Sequence, residues 1–243
     1  MEKMNWLLLV SGKCDPAFNM ALDEALLEAM PRLQKPVLRF YGWTELAASF
    51  GYFQKYADAT CATHLRPLIR RPTGGGIVPH DKDWTYSLVF PPRHEWYLLK
   101  AQESYRRVHE WVRSAFAALG IKTELAPCRR KLEIGNFDES RAGRKSEIPG
   151  QCFVGYEKSD LLWHGKKIAG AAQRRNKLGL LIQGSVRPPI SLKGSEWEKA
   201  MFQVAQREFG IQWDELVMGE ELNERAGTLT REKFSQNSFN RKR

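Results

Sequence analysis

Arg70-Arg71-Pro72-Thr73-Gly74-Gly75-Gly76-Ile77-Val78-Pro79-His80-Asp81 sets two guanidiniums, three adjacent glycines and a His-Asp pair inside twelve residues. A glycine run lets the backbone approach a ligand closely and turn its N–H groups inward. Arginine beside such a loop suits a phosphate or carboxylate, which it grips with two parallel hydrogen bonds. The same residues also suit a glycine hairpin with a solvated basic flank, because glycine-rich loops are common. Segments far downstream decide between the two.

There the chain reads Cys152-Phe153, then Gly165-Lys166-Lys167-Ile168-Ala169-Gly170-Ala171-Ala172-Gln173-Arg174-Arg175. Together with the glycine loop, these segments resemble the biotin/lipoate protein ligase and octanoyltransferase family, which attaches lipoyl or octanoyl groups to a lysine on small carrier domains. Its signatures are an Arg-Arg-x-(Ser/Thr)-Gly-Gly-(Gly/Arg)-x-Val-x-His loop and a Lys-(Ile/Val)-(Ala/Ser)-Gly-x-Ala turn, and both stand here nearly intact. Phe18-Asn19-Met20-Ala21-Leu22-Asp23-Glu24-Ala25, Leu38-Arg39-Phe40-Tyr41-Gly42-Trp43 and Thr85-Tyr86-Ser87 match further, so the resemblance runs from about Trp6 to Trp213. It implies the catalytic fold shared by biotin ligases and class II aminoacyl-tRNA synthetases, a mixed, largely antiparallel sheet packed with helices.

Composition bounds the remaining classes. With 42% hydrophobic and 11% aromatic residues, 243 residues supply a sizeable core for one large domain or two small ones. No apolar run reaches the ~18 residues that a membrane span needs. Met4 to Val10 is too short for a signal-peptide core and no small-residue cleavage site follows it, so a buried first strand explains it better. Cys14, Cys61, Cys128 and Cys152 show no Cys-x-x-Cys pair and no zinc spacing, which suggests reduced thiols in a cytoplasm and no metal site. The net charge of +10 invites a nucleic-acid reading. The excess, however, sits in short pieces: Arg129-Arg130-Lys131, 141–145, Lys166-Lys167, Arg174-Arg175 and Arg241-Lys242-Arg243. No nucleic-acid-binding motif accompanies them, so neither nucleic acid nor membrane is expected as a partner. The resemblance offers another role, because a basic rim would steer in acidic acyl-carrying proteins.

Along the chain, Asp15-Pro16 reads as a helix start, with aspartate as N-cap and proline at the first helical position. Phe18, Leu22, Ala25, Leu26 and Met30 recur at helical spacing and Pro31 ends the helix. Strands are expected over 37–41, 46–50 and 84–90, the last with one face in the core. A helix is expected over 99–119, stopped by Gly120. Residues 126–150 lack any apolar period and read as a long loop leading to Cys152, a candidate lid. Strands over 161–168 and 178–186 are joined by a turn at Gly170, and a helix follows over 196–209. Strands and helices without strict alternation point to an α+β fold. The folded catalytic domain is expected over 1–216, with a polar, flexible tail over 217–243.

The chemistry divides into two readings. In the octanoyltransferases that resemble this chain, a Cys-Phe pair precedes the Lys-Ile-Ala-Gly lysine by the interval found here. The resemblance therefore implies Cys152 as the nucleophile that carries the acyl group as a thioester. Lys167 would activate the thiol, since a neighbouring ammonium favours the thiolate. No tightly bound cofactor is then needed. The donor would be octanoyl-acyl carrier protein and the acceptor the lipoyl domain of a 2-oxoacid dehydrogenase E2 or the glycine cleavage H protein. Arg71, Thr73, Gly74, Gly75, Gly76, Gly170 and Ala172 are the candidate substrate-binding residues, their glycine-rich backbones stabilising charge on the reacting oxygen. His80 is a candidate positioning group. Two departures keep an alternative open. Ser159-Asp160-Leu161 is similar to the Asn-Asp-(Ile/Leu) of ATP-dependent lipoate ligases, and Gly76 is also the ligase choice. That alternative uses ATP, Mg and lipoate, with Lys167 holding the carboxyl and phosphate oxygens of a lipoyl-adenylate.

Overall fold

The computed structural model describes residues 4–127, 156–188 and 192–242. It begins with β1 (Met4–Cys14), α1 (Pro16–Leu33), β2 (Val37–Trp43), β3 (Ala47–Phe50), α2 (Tyr56–Ala62) and β4 (Leu68–Arg70). Next come β5 (Val78–His80), β6 (Trp84–Phe90), α3 (Glu95–Leu98), α4 (Ala101–Ala118) and β7 (Glu124–Leu125). They are followed by β8 (Leu161–Trp163), β9 (Lys166–Asn176), β10 (Gly179–Val186) and α5 (Gly194–Phe209). The last described elements are β11 (Ile211–Glu215), α6 (Glu220–Leu229), a π-helical turn (Thr230–Phe234) and α7 (Asn237–Asn240).

Among the described residues, eight strands form one sheet in the order β11-β1-β2-β6-β10-β9-β8-β7. The two pairings of β1 are parallel and all the others antiparallel, so the fold is the mixed, largely antiparallel α+β type expected. A smaller sheet, β4-β3-β5, carries the glycine loop between β4 and β5.

The large sheet is covered on both faces, and its strands alternate between two cores. Trp6, Phe40, Leu88, Phe90 and Ile182 pack with Trp111, Phe116, Trp197 and Met201 of α4 and α5. Leu7, Val37, Tyr41, Val89 and Leu181 pack on the opposite side with Met20, Leu22 and Leu26 of α1 and Leu222 of α6. Burial on both faces corrects the one-faced reading of β6. Val89 lies in the second core, and Thr85 and Ser87, also buried, donate hydrogen bonds to carboxylates there.

Three other expectations change. Helix α1 is capped by Asp15, whose Oδ1 accepts from the Ala17 and Phe18 N–H groups, but it runs past Pro31 to Leu33. A proline costs one intrahelical bond, and here only two residues follow it before the Gln34 cap. Gly170 does not sit in a turn. It lies inside the eleven-residue β9, and the turn falls earlier, at His164 and Gly165, whose φ angles of +47° and +72° suit a tight two-residue hairpin. Finally, residues 217–242 do not fray. Leu222, Ala226, Leu229 and Phe234 bury themselves in the α1 core, a stripe hidden in sequence by the polar residues between them. Arg70, fully buried, donates to the carbonyls of Tyr52, Gln54, Phe239 and Asn240, and so ties α7 to the small sheet. Cys128, Cys152 and residues 129–150 of the expected loop lie outside the described residues.

Candidate active site

Hairpin β8–β9 builds the centre of the site. Trp163 pairs with Lys166 and Leu162 with Lys167, but Leu161 pairs with Ala169, so β9 holds one extra residue there. Such a bulge shifts side-chain alternation by one. Lys167 and Gly170, three apart, therefore share a face, and Asp160 at the head of β8 stands beside them. Lys167 Nζ lies 2.7 Å from Asp160 Oδ2, with side-chain exposures of 7% and 0%. A Cβ on Gly170 would lie 2.8 Å from Lys167 Cε and 2.9 Å from Nζ, so the lysine head rests on the bare glycine backbone.

Helix α4 closes the other side. The Tyr105 hydroxyl makes a short hydrogen bond to Asp160 Oδ1. One turn on, His109 is fully buried with its ring 4.4 Å from that of Tyr105, and Nδ1 bonds the Tyr105 carbonyl at 2.9 Å. Burial pushes the His109 pKa down to about 4, against the opposing pull of Asp160, so the ring is neutral at physiological pH.

The glycine loop meets this strand from the small sheet. Gly75 has φ +86°, a conformation that favours glycine, and a Cβ there would sit 2.9 Å from Arg71 Nη2 and 3.4 Å from the Ala172 methyl. The two sequence motifs are thus adjacent in space. The Arg71 guanidinium lies over its own loop. Nε donates to the Gly74 carbonyl at 3.0 Å, and Nη2 to the Gly74 and Gly76 carbonyls at 2.5 and 2.7 Å. These bonds hold the loop in shape.

Thr73 is anchored rather than open. Its hydroxyl donates to Gln183 Oε1 at 2.7 Å, and Gln183 Nε2 donates to Asp23 Oδ2 at 2.7 Å. Asp23, fully buried on α1, also accepts from Arg39 and Ser87 at 2.7 Å and from Tyr41 at 3.1 Å. The matched segments around Asn19 and Arg39 therefore build the floor beneath the glycine loop.

His80 is braced on both nitrogens. Nδ1 lies 2.8 Å from Asp83 Oδ2, Nε2 lies 2.8 Å from Ser49 Oγ, and the ring stacks on Trp43 at 3.7 Å. Its partner is Asp83, not the adjacent Asp81, which pairs with Arg187. Burial alone would raise the Asp83 carboxyl, but the His80 charge and bonds from His80, Ser185 and Thr85 hold it below the usual range. Ser49, His80 and Asp83 follow the contact order of a hydrolytic triad. Their side chains are closed off from solvent, however, with Ser49 at 2% and His80 at 5% exposure. Ser49 accepts from Arg71 at its carbonyl, so the chain of contacts runs from Asp83 to the glycine loop and acts as a brace.

Lys167, Gly170, Ala172 and the glycine loop, named from the sequence as candidates, thus lie close together, and the residues that support them were not named with them. Asp160 and Asp23 stood inside quoted motifs without a role. Gln183 carried a signal of its own, a long polar side chain inside an apolar strand, which must find partners when buried.

The chain matches the lipoyl protein ligase A/B catalytic domain over residues 15–207. Octanoyltransferase LipM of Anoxybacillus flavithermus is 36% identical over 191 residues, covering 76% of this chain and 66% of that protein. LipM of Bacillus subtilis is 38% identical over 191 residues with the same coverage of 76% and 66%. The chain therefore spans just under two thirds of the length of these relatives. Among solved structures, lipoate-protein ligase A bound with ATP superposes with a TM-score of 0.71 at 22% identity, covering 99% of each chain. At that identity the likeness concerns the fold alone.

Proposed function

Because this chain belongs to the lipoyl protein ligase A/B catalytic domain family, we propose that it is a cysteine-dependent octanoyltransferase of protein lipoylation. Cys152 is the nucleophile, Lys167 its activating cation, octanoyl-acyl carrier protein the donor, and a lysine on a lipoyl domain or glycine cleavage H protein the acceptor. In the first step the Cys152 thiolate attacks the donor thioester carbonyl. A new carbon–sulfur bond forms, the donor's carbon–sulfur bond breaks, and the carrier leaves as a thiolate that takes up a proton. In the second, the neutral acceptor amine attacks the acyl-enzyme, an amide forms, the amine loses its proton and the Cys152 thiolate is released. Each step passes through an oxyanion that backbone N–H groups at 74–76 and 170–172 are candidates to stabilise.

The observation that carries this reading is the buried Lys167 ammonium seated on Gly170, on the strand that meets the glycine loop. A thiolate needs such a cation close by, and the interval from Cys152 to Lys167 matches the transferase pattern. The relatives named octanoyltransferase support the same choice. The second reading, an ATP-dependent ligase, draws on Gly76 and Ser159-Asp160-Leu161. Transfer to an isolated lipoyl domain separates the two. With octanoyl-acyl carrier protein and no nucleotide, turnover is expected, and Cys152→Ser is expected to lose more than about a hundredfold while Cys128→Ser stays near normal. Transfer that requires ATP and free acid, undiminished in Cys152→Ser, establishes the ligase instead.

A further inference from the structure

The best-built charged group near Lys167 is one that neither motif assigns. Asp160 has no solvent exposure and is held from three directions. Oδ2 accepts from Lys167 Nζ and from the Glu157 N–H, each at 2.7 Å, and Oδ1 takes the short bond from the Tyr105 hydroxyl. Its own backbone is pinned as well. The Asp160 carbonyl accepts from the Ala126 N–H at 2.7 Å, and the preceding Ser159 donates to the Ala126 carbonyl at 2.9 Å. Ser159 has φ +69°, an unfavourable conformation for a residue with a side chain, so the turn that presents Asp160 is strained.

Burying a carboxylate with an ammonium is weak as a stabilising device, because both charges lose their hydration. Strain at Ser159 and desolvation at the adjacent Asp160 suit a functional constraint better than a packing one. The need is plain from the lysine. An ammonium is a point charge on a flexible stem, so its direction must come from outside. Gly170 leaves the room, and Asp160 supplies the direction.

We infer that Asp160, fixed in turn by Tyr105, is a positioning residue for acyl transfer, acting by holding the Lys167 ammonium in charge and in place. The inference rests on the transferase reading for what Lys167 does. Of the titratable groups around Lys167 among the described residues, Asp160 comes from the β7–β8 side, and Tyr105 and His109 come from α4. Burial keeps the His109 ring neutral at physiological pH.

Steady-state transfer by Asp160→Asn and Tyr105→Phe tests it, with folding checked by circular dichroism. Asp160→Asn is expected to lower kcat at least about thirtyfold while KM for octanoyl-acyl carrier protein stays within about threefold. The alkaline limb of the kcat–pH profile should move to lower pH, because the ammonium loses the charge that favours it. A lesion in folding alone would lower the active fraction without moving that limb. Tyr105→Phe, which removes one oxygen and keeps the ring, should lower kcat about fivefold or more at unchanged KM, and it decides the matter if Asp160→Asn does not fold. Folded variants with kcat within twofold of the parent, or with an unmoved limb, overturn the inference. Cys152→Ser run alongside separates the two levels. Full transfer by that variant sinks the transferase reading itself, whereas its loss with normal Asp160→Asn sinks only the role of Asp160.

Discussion

A lysine side chain has four rotatable methylenes and no intrinsic aim, so the residues that press on it decide what its charge can do. Gly170 is one of them. A methyl there would overlap Lys167 Cε at 2.8 Å and Nζ at 2.9 Å, and the flexible lysine would yield before the strand did. Gly170→Ala is therefore expected to leave thermal stability within about 1 kcal/mol of the parent, in the range of ordinary substitutions away from strained sites. Transfer should nonetheless fall by roughly tenfold or more, because a small misplacement of a catalytic group is costly. Unchanged turnover would mean that the lysine head has no fixed place. The lysine and the glycine were legible as a motif and Asp160 as part of another, but their contact was not. Asp160 reaches Lys167 only through the His164-Gly165 hairpin, and reading 161–168 as one strand hid that turn.

At the scale of elements, α1, α4, α5, β6 and β10 were legible from their apolar periods, whereas the eleven-residue β9, polar along much of its length, was not. Strand β6 was found with its own bounds, Trp84–Phe90, although the burial of its second face came from α1, which a single strand cannot announce. The region after Leu216 was misjudged for a different reason. Its apolar residues are few, yet Leu222, Ala226 and Leu229 fall on one helical face and Phe234 continues them into the core. Phe234 is fully buried, so Phe234→Ala is expected to cost about 3–5 kcal/mol in a chemical denaturation series. A flexible tail would predict no change. The same segment supplies acceptors to the buried Arg70 guanidinium, which links its stability to the strand that feeds the glycine loop.

At the scale of the molecule, the chain carries a net charge of +10, and several of its basic side chains are engaged in the fold. Arg174 pairs with Glu24, Arg241 lies over the Tyr56 ring, and Lys242 bonds the Tyr52 hydroxyl. The runs at 129–131 and 141–145, the strongest candidates for carrier docking, lie outside the described residues. No helix among the described residues is long and apolar enough to cross a membrane. What the whole fold accomplishes is to bring two distant motifs together. The small sheet hands the glycine loop, shaped by Arg71 and braced through Ser49, His80 and Asp83, to the strand that carries Lys167. We propose that this assembly serves a thioester on Cys152. The most direct measurement is the intact mass of the protein after incubation with octanoyl-acyl carrier protein in the absence of ATP. A gain of one octanoyl group on Cys152, removed by hydroxylamine and missing in Cys152→Ser, is expected. A protein that gains no mass under those conditions, yet modifies a lipoyl domain when given ATP and the free acid, would contradict it.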